Sequence, residues 1–250
     1  MPTINDVSTS VEIRATANSE IMTYAIPAWP VPAIPVAGTD DLFPVRRIYA
    51  VGRNYADHAA ETGLGGAGAN VPGISLKPAD SIVADGADLP YPPATEELDP
   101  EIEMVIAIGR GGADIPVERG LDHVFGYAVG IDLIRRDIMR ECIANEHSWD
   151  LCKSFDGASP VGTLHAAAEI GHPDAGEISI AVNGEIRQKG DLSQMIWKTA
   201  EIVSRLSRYS RLEPGDIVYT GTPKGPRSVV RGDRLDGRIE GIGALTVRIA

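Results

Sequence analysis

Two glutamates, two residues apart, open the chemical reading of this 250-residue chain. They stand in LDPEIEMVIAIG, residues 98–109. From Met104 to Ile108 the stretch is apolar and rich in β-branched residues, as a buried strand is. Strand side chains alternate with period 2, so Glu101 and Glu103, at the mouth of that strand, share one face. At roughly 6–7 Å, two like charges repel by about 2–3 kcal/mol at an effective dielectric near 20. Two readings are open. Both carboxylates reach solvent at a strand end, or they hold a divalent cation that relieves repulsion and desolvation together. Carboxylate-only ligation selects a hard ion, Mg²⁺, Mn²⁺ or Ca²⁺, over zinc. Such a site needs a third ligand, and Asp132 in GYAVGIDLIRRD also follows an apolar strand-like run. Asp99 and Asp137 read instead as a turn residue and a helix-surface residue.

The elements that must position these acids are mostly short. RRIYAVG (46–52) predicts a strand, and RNYADHAAETG (53–63) a helix stopped by Gly63. ETGLGGAGANVPG (61–73), with five glycines, reads as a mobile loop, and ISLKPADSIV (74–83) as an extended piece broken by proline. HVFGYAVGIDLI (123–134) predicts a strand, and RRDIMRECI (135–143) one or two helical turns. ISIAVNGEIRQ (178–188) predicts a hairpin turning at Asn183-Gly184. LSQMIWKTAEIVSRLSRYS (192–210) predicts a helix, with Leu192, Met195, Ile196, Val203 and Leu206 on one stripe and Asp191 as its cap. LEPGDIVYTGTP (212–223) predicts a turn, a strand and a tight corner. AIPAWPVPAIPVAG (25–38) is proline-rich and predicted to run extended over the surface. The expectation is a mainly β fold with a few helices (α+β), with an N-terminal extension over 1–41 and a single catalytic domain over 42–250.

The net charge is −12. A surface this acidic repels phosphate backbones and anionic lipid, which argues against nucleic acid and membrane partners. Cys142 and Cys152 fit neither a zinc nor a CxxC pattern, and two reduced thiols in the cytoplasm are expected. No apolar run reaches the ~18 residues of a spanning helix. TGTPKG lacks the G-x-x-x-x-G-K-[ST] spacing of a phosphate loop.

Six ordered blocks carry a family resemblance: VGRNYADHAAETG, SLKPADSIV, LDPEIEMVIAIGRGGADIPVERGLDHVFGYAVGIDLIRRDI, KSFDGASPVG, VNGEIRQKGDLSQMIW and EPGDIVYTGTPKG. Over residues 42–250 the chain resembles the fumarylacetoacetate hydrolase family, and within it the short bacterial fumarylpyruvate hydrolases and acylpyruvases. The resemblance implies a mixed β-roll, usually a homodimer, with Glu101, Glu103 and Asp132 around one Mg²⁺ or Mn²⁺. It places a lid histidine and glutamate at His58 and Glu61, a lysine at Lys153 and a threonine at Thr222. The implied reaction is hydrolysis of a C–C bond in an anionic 2,4-dioxo acid, with fumarylpyruvate giving fumarate and pyruvate through a metal-held enolate. Oxaloacetate decarboxylation and diacid decarboxylation/isomerisation use the same metal chemistry. A non-catalytic β-protein with a structural cation is the remaining alternative.

Each implied role has a physical basis. A histidine of pKa near ~6.5 is mostly neutral at pH 7 and can take a proton from water. Glu61, one helical turn after His58, can orient the imidazole. Lys153 offers a cation to a substrate carboxylate or a developing oxyanion. Arg136 can clamp a carboxylate, and Arg53 can serve a distal one. The chain departs from the family pattern at three places. Met139 stands where relatives carry a glutamine, Asp99-Pro100 precedes the acidic pair where histidine is usual, and GTPKGPRSV replaces a glycine-valine-glycine loop.

Overall fold

The computed structural model describes residues 24–61 and 73–250. Residues 24–31 belong to a small N-terminal unit and contain no helix or strand, and the main unit begins at Pro32. The main unit runs through β1 (Ala33–Pro35), β2 (Leu42–Pro44), β3 (Arg47–Gly52), α1 (Ala56–Glu61), β4 (Gly73–Lys77), β5 (Ile82–Val83) and β6 (Asp88–Leu89). The long pair β7 (Leu98–Ile108) and β8 (Val124–Arg135) follows, then α2 (Arg136–Ala144), α3 (Asp150–Lys153), β9 (Ser159–Pro160), β10 (His165–Ala166) and α4 (Ala167–Ile170). The chain closes with β11 (Glu177–Val182), β12 (Glu185–Asp191), α5 (Thr199–Tyr209), β13 (Asp216–Tyr219), β14 (Arg234–Ile239) and β15 (Gly243–Ile249).

Two mixed sheets dominate. One has the order β10-β8-β7-β13-β3-β4, the other β12-β11-β14-β15-β6. Ile102, Met104 and Ile106 of β7 and Val129, Ile131 and Leu133 of β8 pack in one core with Ile178, Ile180, Leu235 and Val247 of the second sheet. The sheets meet closely at Gly237, where a Cβ would stand 2.7 Å from Ile102 Cδ1. Val105, Ala107 and Ala128 face the other way, into a second core with Ile48, Ala50 and Ile217. Every residue of β7 is buried, so both of its faces are spoken for.

Several local expectations shift. The proline segment enters the body at β1, where Ile34 is buried. The hairpin at Asn183-Gly184 forms with both residues at positive φ, as a two-residue turn requires. The helix expected over 53–63 starts only at Ala56, and Arg53 is left-handed at φ 63°. The helix expected over 192–210 is two elements. Asp191 caps a 3-10 turn at Leu192–Gln194, and α5 starts seven residues after its beginning, at Thr199.

One buried residue, through its backbone carbonyl and its side chain, accounts for both shortened helices. Asn54 accepts the Ile196 N–H on its carbonyl and the Trp197 N–H on Oδ1, at 2.8 and 2.7 Å. Its Nδ2 donates to the carbonyls of Trp197 and Thr220, at 3.0 and 2.8 Å. Backbone groups spent on Asn54 are lost to an i→i−4 ladder, and Ile196 turns outward. Gly221 closes over this post with φ 96°, and a Cβ there would stand 2.7 Å from Asn54 Cβ. Asn54→Ala would leave two carbonyls and one N–H buried without partners. A stability loss of about 3 kcal/mol is expected, read as a lower urea midpoint at unchanged slope.

Candidate metal and substrate site

The acidic residues do not sit at a strand mouth. Asp99, Glu101 and Glu103 lie within β7, and Asp132 within β8. The antiparallel register makes Glu101 the direct partner of Asp132. Partners across a ladder share a face, so period 2 along β7 and register across to β8 bring three carboxylates together. One oxygen of each of Glu101, Glu103 and Asp132 lies within 4.8 Å of the others, and all three residues are buried. Gly130 is the partner of Glu103. A Cβ there would stand 2.5 Å from Val105 Cγ2 and 2.6 Å from Tyr219 Cε1, so only glycine fits beneath the cluster.

Such a cluster demands cations, and the chain supplies them. Lys77 donates to Asp132 Oδ1, and Lys153 donates to Asp132 Oδ2 at 2.5 Å. Lys153 Nζ also lies 3.6 Å from Glu101 Oε2. Arg136 Nη2 donates to Glu101 Oε1 at 2.9 Å, and Arg136 Nε to Asp99 Oδ2 at 2.7 Å. Glu103 accepts the Gly221 N–H at 2.7 Å. The electrostatics follow. Burial favours the neutral form of Asp132, but Lys153 and Lys77 outweigh it and hold the carboxyl below its ordinary value. Burial and the Asp132 charge instead push Glu103 well above the usual glutamate range. Lys153 is held up by Asp132, Glu101 and Glu103 against its burial. For Lys77 complete burial outweighs the attraction of Asp132 and the direction is downward, yet ammonium-to-carboxylate contact is the geometry of an ion pair.

A cavity of about 380 Å³ opens onto this cluster. His58, Glu101, Arg136 and Lys153 line it together with Arg53, Met139 and Trp149. His58 Nε2 lies 3.7 Å from Glu101 Oε1. The Arg53 guanidinium packs over Gly73, 3.4 Å from where a Cβ would stand. The donor set fits a hard divalent cation: three buried carboxylates, no sulfur, and a cavity beside them for further oxygen ligands.

Of the anticipated residues, Glu101, Glu103, Asp132, His58, Lys153, Arg53 and Arg136 gather at this one place. Thr222 does not line the cavity, and its hydroxyl accepts from Gln188 Nε2 at 3.0 Å. The Glu61 side chain and the glycine-rich segment 62–72 lie outside the described residues. Asp99, read from sequence as a turn residue, is a buried strand residue bonded to Arg136 and Ser228. Lys77 was not anticipated. Its signal is an inverted pattern in β4, where Ile74 and Leu76 are exposed and Lys77 is buried.

The raised Glu103 gives the site a pH signature. In the cation-free protein this carboxyl keeps a proton that the unfolded chain releases. Its contribution to stability is present below the ordinary glutamate range and is lost as pH rises through the folded value. A bound cation must displace that proton. Mn²⁺ binding is therefore expected to release a proton and to tighten as pH rises toward the raised folded value of that carboxyl, by up to about tenfold per unit. Calorimetry in two buffers of different ionisation enthalpy reads the release directly, and equal heats would contradict it.

Comparison with known proteins agrees with this geometry. Residues 47–250 match the family model for the fumarylacetoacetate (FAA) hydrolase C-terminal domain. A crystal structure of fumarylpyruvate hydrolase from Pseudomonas aeruginosa in complex with Mn²⁺ and pyruvate is 45% identical, with a TM-score of 0.88, covering 91% of this chain and 99% of that one. The fumarylpyruvate hydrolase of a Ralstonia species is 34% identical over 173 residues, covering 69% of this chain and 90% of its own. The mitochondrial oxaloacetate tautomerase of Homo sapiens is 35% identical over 204 residues, covering 82% and 91%. With its model matched over most of the chain, its fold shared and its acidic cluster assembled, the protein belongs to the fumarylacetoacetate hydrolase family.

Proposed function

We propose that the protein hydrolyses fumarylpyruvate to fumarate and pyruvate, using Mg²⁺ or Mn²⁺ held by Glu101, Glu103 and Asp132. The observation that carries this reading is the pairing of the buried carboxylate cluster with a cavity that Arg53, Arg136 and Lys153 line. Arg53, Arg136 and Lys153 suit a substrate with a carboxylate at each end, despite the chain's net charge of −12. The resemblance to a fumarylpyruvate hydrolase that binds Mn²⁺ and pyruvate supports the same substrate class.

A cation held by Glu101, Glu103 and Asp132 would supply Lewis acidity and a positive charge to a bound 2-oxo acid. The remaining work falls to side chains. His58, nearly buried and at the cavity wall, takes a proton from water as its oxygen adds to the C4 carbonyl. Lys153 and Arg136 offer N–H donors to the oxygen that becomes negative. The C3–C4 bond then breaks, fumarate leaves with the added oxygen, and the electron pair passes into the enolate of pyruvate. The proton held by His58 returns to C3. Glu61 orients the imidazole in this scheme, and Arg53 faces the distal carboxylate.

The relatives named oxaloacetate tautomerase favour a second reading, enol chemistry on oxaloacetate, which needs no attacking water. Purified protein with Mg²⁺ or Mn²⁺ is given fumarylpyruvate in one cuvette and oxaloacetate in another. Loss of the enol absorbance with stoichiometric pyruvate and fumarate is expected in the first. Absence of metal-dependent pyruvate release there, with turnover in the second, would replace the first reading by the other. His58→Ala is expected to lower hydrolysis by roughly 10²–10⁴-fold while Mn²⁺ and pyruvate still bind. Glu103→Ala is expected to lose metal binding and turnover together. Full activity in His58→Ala would remove it from the chemistry.

A further inference from the structure

Of the three places where the chain departs from the family pattern, two contact one guanidinium and the third reaches it through Asp99. Arg136 Nε donates to Asp99 Oδ2 at 2.7 Å, Nη2 to Glu101 Oε1 at 2.9 Å, and Nη1 to Met139 Sδ at 3.2 Å. The other oxygen of Asp99 accepts from Ser228 Oγ at 2.6 Å. Ser228 lies in the loop that follows the Thr222 corner, and Val229 N donates to Leu98 O at 2.9 Å, fastening that loop to the start of β7. Asp99, Met139 and the 223–228 loop thus form one arrangement around Arg136.

The three acceptors on Arg136 are unequal. Glu101 is a ligand in the site proposed above, and its oxygens would then be shared between Nη2 and a cation. A thioether is a weak acceptor. Among the described residues Asp99 is the full charge-assisted partner that remains, and it belongs to neither the metal set nor the cavity lining. A methionine at 139 also offers no amide to an oxygen of the substrate, so polar recognition at that wall rests on Arg136.

We propose that Asp99, itself held by Ser228, is a positioning residue that keeps the Arg136 guanidinium at the cavity wall as an anion clamp when Glu101 turns to a cation. This rests on the 2-oxo acid reading of the site. The Asp99–Ser228 pair fixes the Nε edge of the fork, and Nη2 becomes the donor released to substrate. It takes over recognition that an amide at position 139 would otherwise share.

The test is calorimetric titration of Mn²⁺ into the full chain, then of pyruvate into the Mn²⁺-loaded protein. Asp99→Asn is expected to weaken pyruvate binding roughly tenfold, because Arg136 loses its strongest fixed partner. The sign is diagnostic, since removing a negative charge near the site would by itself tighten binding of an anion. Ser228→Ala removes one hydroxyl from an exposed loop residue. It is expected to weaken pyruvate roughly threefold with the Mn²⁺ affinity unchanged, whereas general damage would weaken both. Pyruvate binding as tight as wild type or tighter in Asp99→Asn overturns the proposal. So does unchanged pyruvate binding in Ser228→Ala, or joint loss of Mn²⁺ and pyruvate in that variant. Wild-type protein that binds Mn²⁺ but no pyruvate would overturn the reading of the site itself, and the clamp with it.

Discussion

Asp132 is fully buried with an ammonium on each carboxylate oxygen, Lys77 on one and Lys153 on the other. Everything around the cavity depends on this arrangement. Burying an ion costs several kcal/mol even after relaxation, and three carboxylates in one pocket multiply that cost. The chain answers with two lysines and an arginine that reach the cluster from three different elements: β4, α3 and α2. Burial moves Glu103 toward its protonated form. The carboxylates of Asp99, Glu101 and Asp132 are in contact with the side-chain cations of Lys77, Lys153 and Arg136. The acidic cradle is thereby compatible with a folded protein before any metal arrives, and a cation that binds there exchanges with protein charges rather than filling a bare negative hole.

Burial on both sides of β7 lets one strand serve stability and chemistry at once. Its even-numbered residues, Ile102, Met104 and Ile106, join the core between the sheets. Its odd-numbered ones begin as Asp99, Glu101 and Glu103 and continue as Val105 and Ala107 in the second core. A charged face therefore runs without a break into an apolar one. The pairing of β7 with β8 fixes the carboxylates, and the edge strand β4 and the helices α1, α2 and α3 bring the cations and His58. That division places the most demanding geometry on the least mobile part of the fold.

Much of this was legible in the sequence, and the misses share a cause. Period 2 put Glu101 and Glu103 on one face, and the apolar run before Asp132 marked a second strand. Local pattern could not supply the register that sets Asp132 opposite Glu101, because register is a property of two strands. The same limit made Asp99 look like a turn residue, since DP read locally is a turn signal, while in the fold it is strand sequence with a partner at Ile134. The two shortened helices trace to Asn54, whose four contacts join residues more than 140 positions apart in the chain. Side chains that act across such distances leave no periodic trace. The family resemblance marked His58, Lys153 and Thr222, and the Thr222 hydroxyl accepts from Gln188. Gln188 in turn accepts the Ile102 N–H at 3.1 Å, inside the strand that bears the acids.

The inverted β4 has a mechanical consequence. It is an edge strand, hydrogen-bonded to β3 alone in its sheet, and edges are where alternative alignments are cheapest. Hydrophobic burial would favour sliding β4 by one residue, which would turn Ile74 and Leu76 inward. That slip would also pull Lys77 from Asp132 and strand a buried carboxylate with one partner fewer. The ion pair therefore acts as a detent: it selects, between two alignments that greasy side chains alone would rank the other way, the one in which the enzyme's charges are assembled.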